Sequence, residues 1–209
     1  MAGLAELVSN FGAAAKGKLS NAAVKGAPED QLRTPLETLV LQLAALAGHQ
    51  QTAAKLVGET TPAHLSTRPD YAVSVRKALC GYIEVKAPGK GFDPRRFTSD
   101  HDKRQWQKLK TLPNLIYTDG NGFTLWQDGE LIATVPLDGD IETSGAKLAA
   151  PPGLLGLFTD FLAWQPIAPR SAKQLAGIAA RLCRLLREEV AEELERKNPG
   201  LTSLSIEWR

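Results

Sequence analysis

Cysteine, histidine and aromatic side chains are scarce in this chain, and each shortage removes a class of protein. Two cysteines, Cys80 and Cys183, stand among 209 residues, too few for a disulfide framework. No Cys or His lies near either at a ligand-like spacing, which argues against a structural zinc site. Both cysteines are expected as small core residues in a reducing compartment, and the cytoplasm is the expected location. His49, His64 and His101 have no motif partners and are expected at the surface or in loops. No stretch reaches 18 consecutive apolar residues, so no membrane span is expected. The first 24 residues are Ala-rich, yet Glu6 precedes Lys16 and Lys18 and no apolar run follows a basic start, unlike a signal peptide. A large charge excess is also missing: 25 Lys and Arg face 23 Asp and Glu, a net of +2. That total neither demands nor forbids a nucleic-acid partner, so the local distribution of charge must decide.

What the chain does contain is an ordinary globular composition, 43% hydrophobic and 23% charged, enough for one buried core but not for two full-sized domains. Leu4, Leu7, Val8 and Phe11 recur at helical spacing, while Gly12 and Gly17 weaken that helix and suggest a surface or partner-docking element. Pro28 suits a first helical turn, Glu29 and Asp30 suit its positive end, and Leu32, Leu36, Leu39, Val40, Leu43 and Leu46 form a stripe ending at Gly48. Lys55 to Val57, Tyr71 to Val75 and Leu79 to Val85 are short runs of β-formers and read as neighbouring strands. Asp100 to Leu112 is helical in character and stopped by Pro113. Leu115 to Tyr117, Phe123 to Trp126 and Leu131 to Val135 alternate with Asp-Gly and Asn-Gly turns and predict a meander of hairpins. Leu154 to Trp164 reads as a short helix, and 171–197 as a long amphipathic one bearing Leu175, Ile178, Leu182, Leu185 and Leu194 on one side. This order predicts an α/β domain with a central mixed sheet flanked by helices and a C-terminal helical segment.

The chemistry concentrates in two short stretches. If Leu79 to Lys86 is a strand, Tyr82, Glu84 and Lys86 project from one face, while Ile83 and Val85 enter the opposite layer. A carboxylate and an ammonium at the end of an apolar strand cost desolvation, a cost tolerated more readily where the pair serves a site. Asp70 follows Pro69 at the start of the adjoining strand and can bring a second carboxylate to the same edge. Two carboxylates and a lysine are the groups required for metal-assisted phosphodiester hydrolysis. The acids hold a hard cation such as Mg²⁺, and the lysine orients a nucleophile or neutralises developing charge. The plainer alternative is a turn aspartate and a solvated strand pair. Nearby, residues 86–110 hold eight Lys and Arg against three Asp, enough to draw phosphates, whereas residues 127–146 hold five acids and no base. Lys90, Arg95, Arg96, Lys103 and Arg104 are the candidate DNA contacts. Gly89-Lys90-Gly91 makes a flexible loop but lacks the rest of a phosphate-binding fingerprint. Trp106, Trp126, Trp164 and Trp208 are expected to pack.

With Pro69-Asp70 as a first half-motif and Glu84-Val85-Lys86 as a second, 13 residues intervening, the chain resembles the PD-(D/E)xK nuclease superfamily. Pro28 to Pro35, Gly81 to Gly89, Leu112 to Gly120 and Trp126 to Leu131 extend the likeness. They resemble the N-terminal nuclease region of large single-chain restriction-modification enzymes, in which an N6-adenine methyltransferase, sometimes with a translocase, follows. The resemblance spans roughly residues 28–209. It implies a Mg²⁺-dependent DNA endonuclease, with Mn²⁺ an alternative cation, double-stranded DNA as substrate and a role in restriction-modification or phage defence. Asp70, Glu84 and Val85 become metal ligands, and Lys86 joins the catalytic set. It also implies a third acid on the preceding helix: Glu29 matches that position, and Glu37, two turns on, competes for it. Gln105 matches a glutamine that supports the site in translocating relatives, although Leu109 stands where those carry a tyrosine. The implied division is an N-terminal helical extension over 1–27, a nuclease core over 28–150, and C-terminal helices over 151–209 leading to a further domain. A dimer on DNA is compatible with cutting both strands. The other reading keeps the fold but makes it a non-catalytic DNA-binding or docking module of the same larger protein. The ending Ser205-Ile206-Glu207-Trp208-Arg209, which places a tryptophan one residue from the terminus, suggests a boundary between domains.

Overall fold

The computed structural model describes residues 3–20, 26–50, 53–58 and 68–165, together with nine helical positions between 176 and 191. Leu4–Leu19 forms α1 and Pro28–Leu46 forms α2, which starts at the proline that needs no intrahelical N–H partner. Six strands follow: β1 (Ala54–Gly58), β2 (Tyr71–Val75), β3 (Ala78–Val85), β4 (Asn114–Thr118), β5 (Gly122–Gln127) and β6 (Glu130–Pro136). The helix α3 (Asp100–Leu109) lies between β3 and β4, and α4 (Gly153–Ala163) follows β6. The strands lie in sequence order in one sheet, antiparallel throughout except for the parallel pair β3 and β4. A parallel pair needs a long crossover, and residues 86–113 supply it with α3 inside. The expected mixed sheet flanked by helices is the observed fold.

Alternation along the strands divides the sheet into two different faces. Tyr71, Val73, Ile83, Val85, Ile116, Phe123, Leu125 and Val135 share a core with α1, α2 and α4, centred on Leu36, Leu39, Leu43, Phe158 and Phe161. On the other face Trp106 of α3 meets Tyr117 at 5.7 Å and Trp126 at 4.6 Å between ring centroids, with Phe97 edge-on to Tyr117. This smaller aromatic cluster seats α3 beside Glu84. Cys80 is buried, and its thiol, which burial pushes up to about 11, donates to the Val73 carbonyl; Cys183 is exposed, against the expectation of a core residue.

Two features of the N-terminal helix differ from the sequence expectation. Leu7, Val8, Phe11 and Ala15 are buried in the main core, so α1 is an integral layer and not a surface element. Gly12 permits this: a Cβ there would stand 2.2 Å from the Gly145 carbonyl oxygen, closer than any real contact. One compact unit runs over Met1–Thr60 and Pro69–Gln165, and Thr61–Arg68 with Pro166–Arg209 form a second unit. The stripe expected along 171–197 and the terminal Trp208 lie outside the described residues. No helix among the described residues is long and apolar enough to cross a membrane.

Candidate active site

The antiparallel register of β2 and β3 pairs Tyr71 with Ile83, which carries the residue before β2 to the end of β3. Asp70 arrives there and accepts a hydrogen bond from the Val85 N–H through Oδ2 at 2.8 Å. Its Oδ1 takes the Arg33 guanidinium of α2 at 2.7 Å, and the same arginine reaches Asp30 at 3.1 Å. Burial raises the Asp70 carboxyl above its ordinary range, against the Val85 N–H and the Arg33 and Lys86 charges, and the Glu29 charge adds to the rise. Glu29 is thus within electrostatic reach of Asp70, whereas Glu37 acts on Tyr71. The Val85 side chain is in the apolar layer, so a contribution from this residue to a cation would be through its backbone carbonyl.

Glu84 and Lys86 sit on the α3 face, as alternation requires, and are 3% and 5% exposed. The Lys86 ammonium donates to Glu84 Oε1 at 2.8 Å and to Gln105 Oε1, and lies 3.6 Å from Asp102 Oδ1. Gln105 Nε2 closes the triangle by donating to Glu84 Oε1 at 2.7 Å. Burial lifts the Glu84 carboxyl to about 7, opposed by Lys86 and reinforced by Asp70. Glu84 Oε2 and the Tyr117 hydroxyl are buried without a hydrogen-bond partner. They belong to cross-strand neighbours, Glu84 pairing with Tyr117 in register. A buried carboxylate oxygen left bare is costly and fits a position that a hard cation completes. Among the described residues no group of three His, Cys, Asp or Glu forms a ready-made cage, so a cation here would draw on two carboxylates and backbone.

The basic residues are placed unequally. Lys90 is bound to Asp102 at 2.9 Å, and its loop is pinned by the Gly91 N–H donating to Asp119 Oδ2 at 3.0 Å. Arg95 forms a two-point pair with Asp93 and stacks 5.3 Å from the Trp126 ring, which leaves Arg96, at 87% exposure, the more available of the two. Lys103 and Arg104 are exposed on the outward side of α3, opposite buried Asp102, Trp106 and Leu109.

Three residues around the site escape sequence reasoning. Arg33 clamps Asp70, Asp119 ties the Gly89 to Gly91 loop, and Asp102 is a buried acid reached by two lysines. A signal for Asp102 exists in Ser99-Asp100-His101-Asp102, a capping-box spacing in which the Ser99 hydroxyl accepts from the Asp102 N–H at 3.1 Å. The other two have only local charge to mark them.

The fold and site define an α/β domain with a buried acid and lysine cluster at the end of its central strand. No family model and no curated protein sequence matches the chain. Among solved structures, the cryo-electron-microscopy structure of the DrdV–DNA complex matches 78% of this chain with a TM-score of 0.53 and 22% identity. At that identity the likeness is one of fold. The aligned part is 14% of the DrdV chain, so this chain spans a small fraction of the length of the protein it resembles.

Proposed function

We propose that this chain is a restriction-endonuclease-like domain that hydrolyses phosphodiester bonds of double-stranded DNA with Mg²⁺, or Mn²⁺ in its place. The observation that carries the reading is the convergence of Asp70, Glu84, Lys86 and Gln105, with Glu84 Oε2 buried and bare. The fold shared with a protein solved on DNA agrees with it. Asp70, Glu84 and the Val85 carbonyl would hold the cation, and Glu29, the expected third acid, would act on the site through its charge. Bound there, the cation supplies Lewis-acid polarisation of the scissile phosphate. Lys86 places a positive charge where the phosphate gains negative charge, and Gln105 fixes that ammonium by accepting from it while donating to Glu84. Arg33 keeps Asp70 against β3. Arg96, Lys103 and Arg104, with Arg95, would meet the DNA backbone, contacts that carry no sequence information, while the expected contact Lys90 is held by Asp102. The setting we infer is a longer cytoplasmic restriction-modification or phage-defence protein with methyltransferase or translocase domains in the same chain.

One observation favours the non-catalytic platform: both Asp70 oxygens already have partners, Arg33 and Val85. Plasmid digestion separates the two. The endonuclease reading expects cleavage only with Mg²⁺ or Mn²⁺, reduced at least about 10²-fold in Asp70→Ala, Glu84→Ala and Lys86→Ala. Cation-independent DNA binding, without cleavage by the native chain, would establish the platform.

A further inference from the structure

Asp102 is the acid of this face that neither half-motif contains, and it is 2% exposed. Its Oδ1 lies 3.1 Å from Lys90 Nζ, 3.6 Å from Lys86 Nζ and 3.7 Å from His101 Nδ1, while Oδ2 lies 2.9 Å from Lys90 Nζ and accepts from the Ser99 hydroxyl. Burial works against its charge, but the Ser99 and Lys90 hydrogen bonds, with the charges of Lys86 and Lys90, outweigh it and bring the carboxyl down to about 2. A helix cap needs only the Ser99 contact. The two lysines come from elsewhere: Lys86 from the end of β3 and Lys90 from the glycine loop, both turned inward onto the first turn of α3. Lys86 has Glu84, Gln105 and Asp102 around it. Without Asp102 the carboxylate left in ion-pair contact with it would be Glu84, with the Asp70 charge farther off, and Glu84 is the acid whose second oxygen the proposed site requires. Lys90 is the one residue among the five candidate DNA contacts whose ammonium is held by a buried acid.

We infer that Asp102 is a positioning residue that divides the cations of the site, drawing Lys86 partly away from Glu84 and withholding Lys90 from the DNA backbone. The inference rests on the phosphodiesterase reading above and adds a regulation of DNA affinity to it. It predicts an unusual pair of effects for Asp102→Asn, a variant close in shape that removes the charge. Released from its acid, Lys90 gains a phosphate, so binding to a short fluorescent duplex without divalent cation tightens. Its dependence on log salt steepens by about 0.9. At the same time kcat falls about 10-fold or more, because Lys86 is no longer shared, while KM does not rise. A purely structural role would weaken binding and turnover together.

The double variant Asp102→Asn with Lys90→Gln should lose the gain in affinity and keep the low kcat. Lys90→Gln alone, at a half-exposed position with little bearing on folding, should lower the salt slope by much less than Lys103→Gln does. Equal losses in those two single variants, or parallel weakening of binding and kcat in Asp102→Asn, would overturn the inference while leaving the nuclease reading intact. A native chain that neither binds nor cuts DNA would remove both.

Discussion

The two faces of the sheet solve different problems with the same strands. Toward α1, α2 and α4 the sheet presents Val73, Ile83, Val85, Ile116, Phe123 and Leu125, and the helices answer with leucine and phenylalanine. Toward α3 the same strands present Tyr82, Glu84, Tyr117 and Thr124, and Lys86 and Asp102 are buried beside them. An apolar core stabilises through area removed from water, whereas a buried charge stabilises nothing until it is paired. The polar face is paired almost completely, but Glu84 Oε2 and the Tyr117 hydroxyl are left over. One layer thus holds the fold, and the other buries charge at a cost in stability, a cost that the proposed function would explain.

Substitutions on the two faces should sharpen that contrast. The largest effect is expected on the apolar side: Phe158→Ala, at a fully buried position between Phe123 and Phe161, should cost about 3–5 kcal/mol in denaturant unfolding. Cleavage per folded molecule should change little. An equal loss of cleavage without loss of stability would break the division.

On the polar side Glu84→Gln should have the opposite sign near neutral pH. Burial pushes the folded carboxyl up to about 7 from its ordinary 4.5, so the native state binds the extra proton between those values. The contribution of Glu84 is therefore fully present below about 4.5 and is lost as pH rises through 7. Measured without divalent cation, the stability of Glu84→Gln relative to the native chain should climb by roughly 2–4 kcal/mol between pH 4.5 and 8. A flat difference across that window would mean that Glu84 is not held in a desolvated place.

A smaller effect concerns how α1 joins the apolar layer. Gly12→Ala would set a Cβ against the Gly145 carbonyl and 2.7 Å from Leu148 Cβ, so a loss of about 1–3 kcal/mol is expected in thermal or denaturant unfolding. A neutral result would show that α1 is loosely attached. The smallest effect on the protein itself is expected from joint replacement of Arg95, Arg96 and Lys103. Stability should hardly move, while DNA affinity falls and its salt slope drops by up to about three units, similarly across sequences.

Much of this contrast was legible in the residues. Strict alternation in Tyr82 to Lys86 assigned Glu84 and Lys86 to one face and Ile83 and Val85 to the other, because a strand offers no third direction. Asp128-Gly129 announced its hairpin, and both residues take the positive φ that such a turn demands, 51° and 84°. The turn between β2 and β3 was hidden, since it is made by Arg76 and Lys77 at φ 52° and 69°, residues that carry no turn signature. Gly12 misled for a related reason: glycine weakens a helix by propensity, but here it marks a close approach to residue 145, 133 positions away, which no local window contains. The acid and lysine motif was readable, but its supports were not. Arg33, Asp102 and Asp119 look like ordinary surface charges until the fold brings their partners to them.

The most direct test of the central claim, that the polar face is an incomplete site kept for a cation, is thermal unfolding of the native chain and Glu84→Gln at pH 8, with and without Mg²⁺. A ligand that binds only the folded state raises its stability with the logarithm of its concentration over Kd. Glu84→Gln is expected to be the more stable protein without Mg²⁺, and saturating Mg²⁺ is expected to raise the melting temperature of the native chain while leaving that of Glu84→Gln unchanged. A native chain indifferent to Mg²⁺, or the same shift in both proteins, would contradict it.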